Sequence, residues 1–331
     1  MIYKKRKMKK KIKYFVTGGT GSFGQEFTHF LLSNFKDIDL TIYSRDEMKQ
    51  WQMAIDYKNY KNVNFIIGDV RDLDRLKWAT KNVDYLIHAA ATKIVPTAEY
   101  NPSECILTNV DGAKNIIEAS RHNNIKNVIA LSTDKACNPV NLYGATKLLS
   151  DKLFIAANNL SEKTKFSVVR YGNVVGSRGS IIPFFKSLKD NESFPITDTR
   201  MTRFFITLNE AINLILFALN DMKGGEIYVK KTYSAKVTDI AKFIDKKRKL
   251  KIIGIRPGEK LHEMMINEND SFYTYEYKEF FKILTPLFDI HKDKKRIGNG
   301  KKVRQNFIYS SDKNSKWLTE RQFKILDKKK I

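Results

Sequence analysis

The chain has 331 residues, 42% of them hydrophobic, which is enough for a full catalytic domain with a smaller lobe attached. Its formal charge of +24 comes mostly from lysines spread along the chain, densest in 1–13 and 292–304. No zinc finger, helix-turn-helix or aromatic RNA-binding signature accompanies that charge, so it reads as a solvated lysine-rich surface rather than a nucleic-acid interface.

Residues 1–13 form a basic N-terminal extension holding Arg6 and seven lysines. A first apolar strand is predicted at 12–16, then a glycine turn and a helix over about 22–34. Further strands are predicted at 40–43, 63–67, 84–88, 127–132 and 166–170, with the longest helical patterns near 103–122 and 143–159. Near-continuous apolar strands alternating with helices indicate a parallel sheet covered on both faces. The fold class is therefore α/β, a Rossmann-type doubly wound parallel sheet over 14–171. Beyond 172 the pattern is irregular apart from an amphipathic helix near 208–221. Residues 172–331 are read as mainly a substrate-binding lobe and tail, with elements free to cross over.

The first strand runs into Thr17-Gly18-Gly19-Thr20-Gly21-Ser22-Phe23-Gly24. Glycines at 18, 21 and 24 permit a tight turn and close approach of a pyrophosphate to the backbone. The helix starting near Ser22 offers its free amides and positive dipole end. A strand before and a helix after give the motif the context it requires. The dinucleotide contacts assigned here are Gly18, Thr20, Gly21, Ser22, Phe23 and Gly24.

After the second strand, Ser44, Arg45 and Lys49 can together hold the 2′-phosphate of NADP. Asp46 lies one position later than the residue that binds the ribose of NAD, so NADP is favoured and NAD stays open. Asp69 and Val70 are placed at the adenine, and Ala89 and Ala90 at close backbone approach to the cofactor. Asn109, Val174, Tyr143 and Lys147 complete the cofactor set, with Lys147 able to hold the nicotinamide ribose.

Tyr143 and Lys147 stand at i and i+4 on one helical face. A lysine ammonium near a phenol is expected to lower its pKa, so that Tyr143 can take a proton from a sugar hydroxyl as hydride leaves. Thr133 ends the fifth strand, where ligands bind in this architecture, and can hydrogen-bond the reacting hydroxyl. Asp134 and Lys135 add an acid and a base, more than alcohol oxidation needs and suited to elimination of water. Cys105 and Cys137 read as reduced thiols without metal-ligand spacing, and no metal site is expected. No apolar run approaches the ~20 residues that span a bilayer, and the apolar stretch after the basic start is too short for a signal peptide. The expected setting is the cytoplasm, without membrane insertion.

The segments TGGTGSFG, YSRDE, IGDVRDLDRL, HAAATKIVP, LSTDKACNPVNLYGATK, FSVVRYGNVVGSRGSIIPFF, ITDTRMTRFF and IGIRPGEKLHE resemble the extended short-chain dehydrogenases/reductases. More narrowly, the chain resembles the inverting UDP-N-acetylglucosamine 4,6-dehydratases (5-epimerising) that begin pseudaminic acid synthesis. The resemblance covers most of 14–263. It implies that Tyr143 deprotonates the C4 hydroxyl, Lys135 removes the C5 proton and Asp134 protonates the departing C6 hydroxyl. Hydride then returns to C6, and C5 is inverted. It further implies that Lys93, Asn173 and Arg178 line the sugar-nucleotide side, that Arg203, Arg256 and Glu259 hold the UDP part, and that the enzyme is a homo-oligomer. Thr92 and Ile94 depart from the family pattern near the expected sugar site.

Three other readings stand beside it. A C4 or C5 epimerase could use the same scaffold, although a C4 epimerase needs no acid–base pair at C6. A retaining dehydratase would be expected to carry Asp-Glu at 134–135. A basic binding protein with a vestigial fold would not need Thr133, Tyr143 and Lys147 together.

Overall fold

The computed structural model describes residues 11–287 and 293–328. The residues before 11, including most of the basic extension, lie outside it. Six parallel strands form the centre: β1 (Ile12–Thr17), β2 (Ile38–Ser44), β3 (Val63–Ile67), β4 (Tyr85–His88), β5 (Asn127–Thr133) and β6 (Lys165–Tyr171). Their order across the sheet is β3-β2-β1-β4-β5-β6, so the chain turns back between β1 and β4. Every neighbouring pair is parallel.

Alternation along the strands explains why both faces are covered, since successive side chains point to opposite sides. Tyr14, Val16, Ile42 and Ile129 face one core together with Phe27 and Leu31 of the helix Ser22–Asn34 and Ile212 and Ile215 of the helix Leu208–Asp221. Phe15, Tyr43, Val128 and Ala130 face the other, against Ile116, Ile117, Phe154 and Ile155. The helix Leu208–Asp221 begins with a capping box, Thr207 accepting the Glu210 amide and Glu210 the Thr207 amide.

The stretch after 172 returns to this sheet. Strand Ile227–Lys230 pairs parallel with β6, and Phe280–Ile283 and Thr274–Glu276 continue antiparallel. Between these returns the chain builds a three-stranded sheet of Asn173–Val174, Thr202–Ile206 and Tyr233–Lys236. It also pairs Phe194–Ile196 with Leu250–Ile252 and Met264–Ile266 with Tyr309–Ser310. The predicted helix over 103–122 is interrupted: a π turn at Leu107–Asp111 separates Pro102–Ile106 from Gly112–His122. Such bulges cluster at functional sites, and this one places Thr108 at the cleft described below.

Candidate active site

A cleft of about 1150 Å³ opens at the turn-back point between β1 and β4, the position where sheets of this kind bind ligands. Gly18, Thr20, Gly21, Ser22 and Phe23 line one end. Gly18 has φ +62, and a Cβ there would lie 2.8 Å from the Ala90 amide nitrogen, so only glycine lets the loop pass this close to the end of β4. Thr17 holds the two strand ends together. Its hydroxyl accepts the Ala89 and Ala90 amides at 3.1 and 3.2 Å, which leaves its proton for His88 Nδ1 at 2.8 Å. Burial pushes His88 down to about 3, so it is neutral. Gly21 stands at the N-cap of Ser22–Asn34 and carries no side chain to satisfy the first amides.

On the rim, Ser44 accepts from Thr20 at 3.1 Å and from Gln50 at 3.2 Å. Arg45 is exposed and lies 3.5 Å from Asp69, which Arg71 holds at 2.7 Å. Asp46 is occupied: it accepts the Lys49 amide at 3.0 Å as the cap of Glu47–Asp56 and pairs with the Lys49 ammonium. That side-chain bond from Lys49 holds the Asp46 carboxyl below the usual carboxylate range.

The centre of the cleft is built by the loop after β5 and the helix Leu142–Ala156. Asn141 caps that helix by accepting the Gly144 amide at 2.7 Å, an interaction worth ~1 kcal/mol. A Cβ on Gly144 would lie 2.4 Å from the Lys135 carbonyl, so glycine allows the first helical turn to press against the loop and brings Tyr143 beside Thr133. Thr133 donates to Asp134 Oδ1 at 2.9 Å. The Lys135 ammonium lies 3.1 Å from the same oxygen and 3.2 Å from Glu263 Oε1.

Desolvation would lower the Lys135 pKa, but the charges of Asp134 and Glu263 outweigh it and hold the group above the ordinary lysine value. Burial raises the Asp134 carboxyl, favouring its acid form. Tyr143 is pushed up to about 12 by burial, against the pull of Lys135 and of a hydrogen bond with Thr133. Lys147 is itself buried and lowered by that burial, and its charge also bears on His88. Burial outweighs the Lys135 cation at the phenol, which is only 9% exposed.

Most residues singled out in the sequence meet at this cleft. Ser44, Arg45, Lys49, Asp69, Val70, Ala89, Ala90 and Val174 lie toward the nucleotide end, and Lys93, Asn173, Arg178, Arg203, Arg256 and Glu259 line its other walls. Three do not line it. Gly24 packs on Gly19. Asn109 lies behind, donating to the Thr92 carbonyl at 2.9 Å and to Thr146 at 3.0 Å. The Asp134 side chain is enclosed beneath Lys135. Arg203 donates to the carbonyls of Thr202, Lys260 and Leu261, so much of its fork is taken up by the protein's own backbone.

Two buried carboxylates were not anticipated. Asp151 accepts from Ser132 at 2.8 Å and pairs with Arg170 at 3.3 Å, and its charge supports the ammonium of Lys147. Its i+4 spacing from Lys147 was a readable signal. Glu263 is 2% exposed and reaches Lys135 from far along the chain. No local spacing announces it.

The polysaccharide biosynthesis protein family matches residues 14–285. A UDP-N-acetylglucosamine 4,6-dehydratase (inverting) from Campylobacter jejuni is 52% identical over 316 residues, covering 93% of this chain and 94% of that protein. A UDP-glucose 4-epimerase from Rickettsia bellii is 40% identical, covering 94% of each chain. The solved structure of Pen from Bacillus thuringiensis superposes with a TM-score of 0.86 at 32% identity, covering 98% of this chain and 100% of that one. The fold, the cleft and these likenesses agree: the chain belongs to the polysaccharide biosynthesis protein family and, within it, to the inverting UDP-N-acetylglucosamine 4,6-dehydratases, enzymes of the short-chain dehydrogenase/reductase type.

Proposed function

We propose that the protein is an NADP-dependent, configuration-inverting 4,6-dehydratase of UDP-N-acetylglucosamine. Its product would be UDP-2-acetamido-2,6-dideoxy-β-L-arabino-hexos-4-ulose, the first intermediate of pseudaminic acid synthesis, made in the cytoplasm by a homo-oligomer. The observation that carries this reading is the Lys135 ammonium held between two enclosed carboxyl groups next to Tyr143. A C4 epimerase has no use for that cluster, which favours the dehydratase over the epimerase likeness.

The glycine cradle suits a dinucleotide, because any Cβ at Gly18 would fill the approach to Ala90. Gly18, Gly21 and Ser22 would hold the pyrophosphate, and Ser44, Arg45 and Lys49 the 2′-phosphate. When bound, the nicotinamide would supply a hydride acceptor for C4 and a hydride donor for C6. Tyr143 takes the C4 hydroxyl proton, with Thr133 orienting that hydroxyl. The resulting ketone acidifies C5–H, which Lys135 removes. Asp134, whose carboxyl burial raises, is the acid that the family resemblance assigns to protonate the leaving C6 oxygen. Arg256 at the exposed end of the cleft binds the diphosphate, and Arg203 ties down the segment that follows it through the Lys260 and Leu261 carbonyls.

Incubation with UDP-N-acetylglucosamine in D₂O, followed by NMR, tests the whole reading. The expected product is a 6-deoxy-4-keto sugar of L-arabino configuration with deuterium at C5. Unchanged substrate, or a product that keeps its C6 hydroxyl, would overturn it. The cofactor is tested separately. Because Asp46 is engaged by Lys49, Arg45→Ala should weaken NADP binding about tenfold or more in a direct titration and leave NAD binding within about threefold. Equal losses for both cofactors would remove Arg45 from 2′-phosphate recognition.

A further inference from the structure

A lysine held as an ammonium cannot remove a proton. Lys135 therefore has to lose one before it can serve as the C5 base, and that requirement points beyond the residues assigned so far. Glu263 precedes the strand Met264–Ile266 and enters the catalytic centre from the opposite wall of the cleft. Its Oε1 lies 3.2 Å from Lys135 Nζ. Its Oε2 is buried and accepts no hydrogen bond among the described residues.

The backbone of Glu263 is fixed on both sides. Its amide donates to Ser311 Oγ at 2.9 Å, its carbonyl accepts the Ser311 amide at 2.8 Å, and the Ser311 hydroxyl is bonded to that of Thr202 at 2.7 Å. The charged groups facing its carboxylate are Lys135, Arg203 at 3.8 Å and Lys260 at 3.9 Å. Asp134 and Tyr143 lie on the far side of Lys135.

We propose that Glu263 is a positioning residue that takes the proton of Lys135 and so converts the ammonium into the amine that attacks C5–H. The proposal rests on the dehydratase reading above. In this step one N–H bond of Lys135 breaks and one O–H bond forms on Glu263. A +1/−1 pair becomes a neutral pair, with no proton drawn from solvent and no oxidant or reductant involved. Without substrate the charges of Lys135, Arg203 and Lys260 hold the Glu263 carboxyl low against its burial; substrate filling the cleft strips the remaining water from Lys135 and favours the neutral pair. Lys135 then gains the C5 proton while Asp134 gives its own to the leaving oxygen. A transfer from Lys135 back to Asp134 across 3.1 Å restores the acid, and return of the proton from Glu263 to Lys135 across 3.2 Å restores the starting ammonium–carboxylate pair.

The test compares wild type, Glu263→Gln and Glu263→Asp in single turnovers, reading C4 oxidation and loss of the C6 hydroxyl separately across pH. In Glu263→Gln the proton must leave Lys135 for water. C4 oxidation is expected to stay within about threefold of wild type, while elimination falls about 10²-fold near neutrality and climbs with pH. Glu263→Asp should recover part of the rate and flatten the pH dependence. Elimination in Glu263→Gln that is unchanged or faster would overturn the proposal. So would an equal loss of oxidation and elimination without a new pH dependence, which would mark a structural role. If wild type itself loses no water, the dehydratase reading has failed instead.

Discussion

Lys135→Ala is expected to stop loss of water from the sugar while oxidation at C4 persists at a reduced rate, because Lys135 also acts on the Tyr143 phenol. Removing a positioned general base typically costs about 10²–10⁴-fold. The variant should bind nucleotide cofactor normally, since Lys135 is remote from the glycine cradle. Mixing it with substrate should therefore produce reduced nicotinamide that does not decay, where wild type shows only a transient. The substitution also leaves Asp134 and Glu263 enclosed without their shared cation. Breaking a buried pair costs about 3–5 kcal/mol, so a clear drop in melting temperature should accompany the kinetic defect. Lys135→Ala with wild-type turnover would remove Lys135 from the C5 step.

Tyr143→Phe is expected to act one step earlier, abolishing both C4 oxidation and everything after it. Phe preserves the packing of Tyr143 against Ala98 and Cys105, so folding should be retained. The sign of the pH dependence follows from the raised phenol. A base whose pKa is pushed up to about 12 is mostly protonated at neutrality, so the oxidation rate should rise as pH increases over roughly pH 6–9. The Lys135 ammonium lowers the phenol's pKa, and a bound oxidised nicotinamide would do the same, so both move the rise to lower pH. Tyr143→Phe should remove the rate and the rise together. A wild-type profile that is flat over this range would mean the phenolate is already formed before substrate arrives.

The parts legible in the sequence were those fixed by local periodicity. Each of the six central strands, the phosphate loop and the Tyr143–Lys147 helix came from short-range patterns that tertiary packing did not override. The acidic and basic neighbours at 134 and 135 were visible because they are adjacent. What the sequence could not express was charge balance. Lys135 is held as a cation by Asp134 beside it and by Glu263, 128 positions away, and the Tyr143 phenol is raised by depth of burial, which helical spacing does not report. The π turn at 107–111 was equally hidden, since it interrupts a helical pattern that is continuous in sequence.

The return of residues 227–230 and 274–283 to the central sheet has a consequence for how the molecule is made. During synthesis β6 emerges with one edge unpaired and remains so until some sixty further residues have been added. The acid–base cluster waits longer, because Glu263 is anchored by Ser311 near the end of the described chain. An emerging N-terminal half therefore carries an open sheet edge and an incomplete catalytic centre, the combination that exposes a nascent chain to misassembly. The enzyme becomes chemically competent only when almost all of it has been translated.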